Sequence, residues 1–229
     1  MYSARPDRLC DDLRMSATFI IDLWSDVVCP FCYLGTRQLH GALQQFEHRD
    51  EVELRHRAFE LDPSAKLAYD RPLAELVAAK YEIPVAQVHT MHDRLLSNAR
   101  SFGMTWSLDT ARPTNTFDAH RVIALASSQG LGGAASDRLF RAYFSDGELI
   151  SDHDRLSELA GEVGVTDVGA LWESDAFSDE VRADELAAQE LGISGVPAFL
   201  IDSKFMVSGA QGTEQLLDVL RRAWARRAA

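Results

Sequence analysis

Apolar residues run almost unbroken through residues 18–24 (Thr-Phe-Ile-Ile-Asp-Leu-Trp), about the length of one buried strand. Beyond a Cys-Pro-Phe-Cys run, Leu39, Leu43 and Phe46 recur at helical spacing. Residues 51–59 then open with polar and apolar positions alternating, as in a half-exposed strand. Strand, helix and strand at this spacing predict a βαβ unit whose two strands lie parallel. From residue 62 to about 177 the period is helical almost throughout. Leu73, Leu76, Val77 and Tyr81 form one stripe, and Pro84 suits the first position of a helix carrying Val88, Met91, Leu95, Ala99 and Phe102. Further helices are predicted over 115–128, 134–144 and 152–163, the last opened by Asp152-His153-Asp154, since acids favour a helix N-terminus. Strand character returns at 197–201. Asp202 and Ser203 suit a tight turn and 204–208 an antiparallel return. A closing helix over 213–226 carries Leu216, Leu220, Ala223 and Trp224 on one face, with Arg221, Arg222, Arg226 and Arg227 near the end that the helix dipole makes favourable for cations. The order is that of an α/β domain, residues 18–61 and 178–229, interrupted by an all-helical insertion, residues 62–177.

Composition narrows the function classes. Of 229 residues, 46% are hydrophobic and 25% charged, the balance of a folded chain and not of a disordered one. Thirty-five acids against 23 bases leave a formal charge of −12, which repels phosphate backbones and anionic lipid, so neither nucleic acid nor membrane is an expected partner. No apolar run reaches the roughly 18 residues of a membrane span. Residues 1–14 are polar and lack the apolar centre of a secretory signal. Met15 is an alternative start, residues 1–17 read as a flexible extension, and a cytoplasmic location is expected.

The three cysteines are too few for a disulfide scaffold. Cys10 lies in the polar extension. Cys29 and Cys32 sit where the first strand gives way to a helix, and that placement has a chemical use. A sulfur at a helix N-terminus meets unpaired N–H groups and the positive end of the dipole, which favour the thiolate. The second sulfur, one turn on, can close a disulfide with the first. Pro30 falls at an early helical position, where its missing N–H costs little. Cys29 is therefore the expected nucleophile and Cys32 the resolving thiol. A zinc site would need four ligands; the chain has no second cysteine pair, and His40 lies too far along the helix to close one. Inert buried thiols are the remaining bland reading. A second feature is Gly-Ile-Ser-Gly-Val-Pro-Ala-Phe at 192–199, where Pro197 opens a strand after a glycine-rich turn. A proline there marks an edge or a special turn, often a cis peptide, and a cis bond would free Val196 to pair with an extended substrate.

Taken together, Ser25-Asp26-Val27-Val28-Cys29-Pro30-Phe31-Cys32-Tyr33-Leu34-Gly35, Phe59-Glu60-Leu61-Asp62-Pro63, Asn115-Thr116-Phe117-Asp118-Ala119-His120-Arg121, Gly195-Val196-Pro197-Ala198-Phe199 and Ser208-Gly209-Ala210-Gln211 resemble the DsbA family of the thioredoxin superfamily, and within it the FrnE-like proteins. The match spans about residues 18–226. The resemblance implies a thioredoxin fold with a helical insertion and a thiol–disulfide oxidoreductase or isomerase acting on protein or small-molecule thiols and disulfides. It implies that Pro30, Phe31, Val196 and Pro197 line the substrate groove and that Asn115 and His120 contact substrate. Relatives hold the glutathione carboxylate at the turn containing Ala210 and Gln211. No cofactor is required, glutathione being a redox partner or co-substrate. Phe31 stands where tryptophan is commoner, and this pair of central residues helps set the potential. A glutathione-dependent isomerase or transferase, of the 2-hydroxychromene-2-carboxylate isomerase or kappa type, is the alternative; such relatives usually carry serine at the position of Cys29. A redox-inactive protein binding partners beside Pro197 is a third.

Other residues offer less. Asp22 or Asp26 could take the proton of the resolving thiol, and strand alternation does not choose between them. Asn115 also suits a helix cap and His120 a satisfied polar contact. His89, His92 and Asp93 read as a polar helix face without a third ligand at recognisable spacing, and no metal site is expected. Gly130-Leu131-Gly132-Gly133 follows a helix and reads as a linker. The insertion's apolar stripes are compatible with a homodimer.

Overall fold

The computed structural model describes residues 18–227 of the chain. The expectations for residues 1–17, Cys10 included, lie outside the described residues. Strands β1 (Phe19–Ser25) and β2 (Val52–Ala58) pair parallel, with Phe19 opposite Val52 and Ser25 opposite Ala58. Helix α1 (Pro30–Gln45) makes the crossover. Strand β3 (Ala198–Ile201) runs antiparallel on the other side of β1, and β4 (Phe205–Ser208) returns along β3, giving the order β2-β1-β3-β4. Asp202 and Ser203 both take positive φ, 50° and 54°, as a two-residue hairpin turn matched to strand twist demands.

Between β2 and β3 come α2 (Leu73–Tyr81), α3 (Val85–Ser101), α4 (Phe117–Ser128), α5 (Gly132–Arg141), α6 (His153–Glu162), the single turn α7 (Gly169–Trp172) and α8 (Ser178–Glu190); α9 (Thr213–Ala225) closes the chain. Three details differ from the sequence reading. Pro84 caps α3 from outside its first turn. Helix α5 ends at Arg141 and passes into a π-helical turn, Ala142–Asp146, which sends Tyr143 and Phe144 inward. Of the supposed glycine linker only Gly130 and Leu131 connect; Gly132 begins α5 because a Cβ there would collide with Ser127 of α4.

Every second residue of β1 faces one layer. Phe19, Ile21 and Leu23, with Phe199 and Ile201 of β3, pack on Leu39, Ala42 and Phe46 from α1 and its C-cap, and on Leu216, Leu217, Leu220 and Ala223 of α9. Each large side chain so buried contributes about 1.5–3 kcal/mol. The opposite face, Trp24 and Ala198, meets Ala188 of α8. The helical insertion has a larger core of its own, built on Val122, Leu139, Phe140, Tyr143, Phe144, Leu156 and Leu159. That core also takes in Cys29, Cys32, Tyr33 and Leu34 from the first turn of α1. The sheet thus carries the middle of α1, and the insertion carries its head.

His56 occupies the α1-facing side of β2, in line with Val52 and Leu54. The residue is half-buried as a whole, but both ring nitrogens are shut from water without hydrogen-bond partners. Burial, with the charge of His40 adding to it, lowers its pKa to about 4. In the unfolded chain the ring titrates near about 6.5. Between those values the unfolded chain binds a proton that the folded chain refuses, so stability falls as pH drops from about 6.5 towards about 4. The full effect is about 3 kcal/mol. Urea unfolding at neutral pH and near the lower limit is expected to show this loss, and His56→Gln is expected to flatten the pH dependence.

Candidate active site

Cys29 is the N-cap residue of α1, with extended backbone angles, and its sulfur accepts a hydrogen bond from the Cys32 backbone N–H at 3.3 Å. Pro30 takes the next position, so no donor is wasted, and Phe31 stands out from the turn at 51% exposure. Cys29 keeps 4% of its surface and Cys32 none. Both cysteines are free thiols. Burial above all, then the hydrogen bond and charge of Cys29, push the Cys32 thiol well above its ordinary pKa. A hydrogen bond from the Asp26 backbone opposes them, and the charge of Asp26 adds a smaller push in the raising direction. The two sulfurs are therefore unequal: one caps a helix, the other is a buried, protonated thiol beside it.

Across from Cys29 the chain enters β3 through a cis Val196–Pro197 bond. The Cys29 thiol donates to the Val196 carbonyl at 3.6 Å. Pro197 is buried, and its carbonyl accepts from the Gly209 N–H at 2.7 Å. Gly35, in the second turn of α1, lets the helix lie against this proline. A Cβ at Gly35 would fall 2.8 Å from Pro197 Cγ and 3.3 Å from Phe199 Cζ. Phe31 is exposed beside the pair, and Val196 meets Cys29 through its carbonyl.

Asp22 and Asp26 have different surroundings. Asp22 points to the α8 side of the sheet and pairs with Arg57 at 2.7 Å, which also holds Asp184 at 3.0 Å. Asp26 is 1% exposed and lies under the cysteine pair. Its carboxylate accepts from the Leu61 N–H at 2.8 Å and the Val28 N–H at 3.4 Å, and His120 Nε2 stands 3.5 Å away. Burial, then the charge of Asp26, raises the Tyr143 phenol far above its ordinary pKa. Of the two carboxylates, Asp26 belongs to the site.

Asn115 and His120 both have partners inside the protein. Asn115 Oδ1 accepts from the Phe117 N–H at 2.9 Å at the start of α4, and its amide donates to Glu60 Oε1 at 3.2 Å. Asn115 thereby holds the first N–H of α4 from one residue before the N-cap, Thr116. His120, 3% exposed, has its ring against Asp26 and offers no face to a bound substrate. In this structure both side chains thus meet other residues of the protein, Asn115 at Glu60 and Phe117 and His120 at Asp26. At the turn before α9, the Gln211 amide donates to the Ser208 carbonyl and the Gly212 N–H to Gln38 Oε1 at 2.9 Å. Ala210 packs on the core that holds the cysteines. The Gln211 side chain and the Gly212 N–H at this turn thus have partners within the protein.

Sequence reasoning missed what surrounds these residues. Tyr33, next to Cys32, stacks on Phe140 at 4.8 Å and on Trp106 at 5.5 Å, tying the first turn of α1 to the insertion. Arg37, one turn on, pairs with Asp137 of α5 at 2.8 Å. Glu60, its side chain fully buried, joins Asn115 to Arg182 of α8, the latter at 2.7 Å. Burial raises the Glu60 pKa, Arg182 opposing it. Arg121 donates to the carbonyls of Leu171, Ser174 and Ala176, holding the α7–α8 link. The motifs at 59–63 and 115–121 announced these residues, but nothing in one dimension said that they meet.

A dithiol at the head of the crossover helix, facing a cis-proline at the start of the adjoining antiparallel strand, makes this a thioredoxin-like domain. Residues 20–221 match the model of the DSBA-like thioredoxin domain, and the chain belongs to that family. A probable DsbA oxidoreductase from Streptomyces coelicolor is 37% identical, with 90% of each chain covered and a TM-score of 0.86. YwbO, an uncharacterised protein of Bacillus subtilis (strain 168), is 28% identical over 201 residues, which is 86% of this chain and 93% of that one. The cytosolic disulfide reductase DsbM from Pseudomonas aeruginosa, solved with GSH, has a TM-score of 0.61 over 90% of this chain and 99% of its own; at 20% identity it shows the shared fold alone.

Two outcomes follow from this geometry. Brief iodoacetamide treatment of the folded, reduced protein at neutral pH is expected to label Cys29 and spare Cys32 until denaturant is added, as read by peptide mass. Gly35→Ala is expected to destabilise the protein by about 1–3 kcal/mol, because neither the proline ring nor the helix can yield freely, and thermal unfolding measures it.

Proposed function

We propose that this protein is a thiol–disulfide oxidoreductase whose nucleophile is Cys29 and whose resolving thiol is Cys32. The observation that carries the reading is the placement of Cys29 as helix cap against Val196–Pro197, with Cys32 buried one turn behind it. The Cys29 thiolate attacks one sulfur of a substrate disulfide, forming a mixed disulfide and expelling the other sulfur as a thiolate. Cys32 then loses its proton and attacks the Cys29 sulfur, releasing the second substrate thiol and closing the Cys29–Cys32 disulfide. The substrate gains two electrons and the protein loses them; the reverse sequence oxidises a dithiol.

Cys32 needs a base because its thiol is held protonated by burial. Asp26 is the carboxylate within electrostatic reach, and Leu61, Val28 and His120 hold it in place. An extended substrate lies along Val196, with Phe31 and Pro30 beside the reacting sulfur. Glutathione fits this scheme as a reductant of the closed pair, a role that needs no resident cofactor. The glutathione-isomerase reading is the weaker one, since this chain keeps both cysteines and the Gln211 and Gly212 donors are engaged internally. In the cytoplasm the glutathione pool would keep a low-potential pair in the dithiol form.

Cys29→Ser is expected to drop insulin-disulfide reduction to the uncatalysed background. Cys32→Ser is expected to accumulate mixed disulfides that non-reducing mass analysis detects. Full activity of Cys29→Ser would overturn the mechanism. Equilibration with glutathione buffers gives the direction: a potential near or above about −200 mV defines an oxidase or isomerase, and one near about −270 mV or below a reductase.

A further inference from the structure

Helix α3 carries His89 and His92 one turn apart, and the segment between α3 and α4 brings Asp109 to them. One potential ligand atom from each of the three lies within 4.8 Å of the others. His92 is only 8% exposed, and its Nδ1 is buried without a hydrogen-bond partner. His89 and Asp109 are exposed, and among the described residues neither side chain takes part in a hydrogen bond or ion pair. Among the described residues no hydrogen bond or ion pair of His89 or Asp109 competes with a cation. The sequence could not show this, because the partner of the His-x-x-His pair is not Asp93 beside it but Asp109, seventeen positions beyond His92.

We propose that His89, His92 and Asp109 form a binding site for a divalent transition-metal ion, two imidazoles and a carboxylate leaving at least one position for water. Imidazole selects zinc, copper or nickel over magnesium and calcium, and the absence of a thiolate from the set keeps the site apart from the redox pair. Modest side-chain rotations draw the three atoms to bonding distance, since two of the three are free at the surface. The cation would fasten the 102–116 segment to α3. That segment delivers Met104, Trp106, Leu108 and Ala111 to the insertion core, and Trp106 is the residue stacked on Tyr33 beside Cys32. The site is thus a clip on the segment that backs the head of α1. It stands independently of the redox reading.

The test uses untagged full-length protein carrying Cys10→Ser, Cys29→Ser and Cys32→Ser, so that no sulfur ligand remains. Titration with zinc ions by calorimetry is expected to show a single equivalent bound, and cobalt ions are expected to give a visible absorption band that zinc displaces. His89→Ala and Asp109→Asn, both at exposed positions, are each expected to weaken zinc binding by about tenfold or more. Zinc at about a hundredfold excess over its Kd is expected to raise Tm in the parent and not in His89→Ala. Absence of any zinc binding in the calorimetric titration, or equal binding in the parent and both variants, would overturn the proposal.

Discussion

The close seating of α1 against the start of β3 is the contact on which the rest depends. Gly35 has no side chain, so the helix lies against the Pro197 ring, and Cys29 at the helix head comes within reach of the Val196 carbonyl. A helix N-terminus is a favourable place for a sulfur anion only if its N–H groups point at that sulfur, and here the Cys32 N–H does. The Val196 carbonyl, just before the cis bond, faces the cysteine. Backbone groups therefore do much of the positioning, and they hold their direction because Pro197 and Phe199 are buried in the same layer.

Two cores share the task of holding that helix. Leu39, Ala42 and Phe46 bind its later turns to the sheet, whereas Cys32, Tyr33 and Leu34 belong to the core of the helical insertion. The stack of Tyr33 on Phe140 and Trp106 and the Arg37–Asp137 pair make the insertion a structural backing for the dithiol. An insertion placed this way excludes water from Cys32, and that exclusion separates the two thiols chemically. Cys32 is held neutral by burial beside a second sulfur and a carboxylate, while Cys29 remains at the edge of the groove.

Beneath the pair, buried polar groups are joined rather than isolated. Leu61 donates to Asp26, Glu60 bridges Asn115 and Arg182, and Asn115 accepts from the first N–H of α4, which in turn presents His120 to Asp26. A buried carboxylate left without donors would be costly, so the 59–63 and 115–121 segments are needed to keep Asp26 where it is. Asn115 and His120 both belong to this buried network.

Local physics alone determined the elements and the reacting pair. The apolar run in β1, the helical stripe of α1, the Asp202-Ser203 turn and the cysteines at a strand-to-helix junction each follow from side-chain periodicity, turn preference and helix-end electrostatics over a few neighbouring residues. Pairing between distant segments was beyond that reach. Asp22 and Asp26 are equivalent in a linear pattern and differ only because one meets Arg57 and the other lies under Cys32 near His120. His89 and His92 read as a polar face until the fold brings Asp109 beside them. The head of α1 reads as part of a sheet-packed helix until the insertion's aromatic residues close over it. Periodicity records which side of an element is buried; which groups meet there depends on contacts between segments up to more than a hundred residues apart, and only the packed structure supplies those.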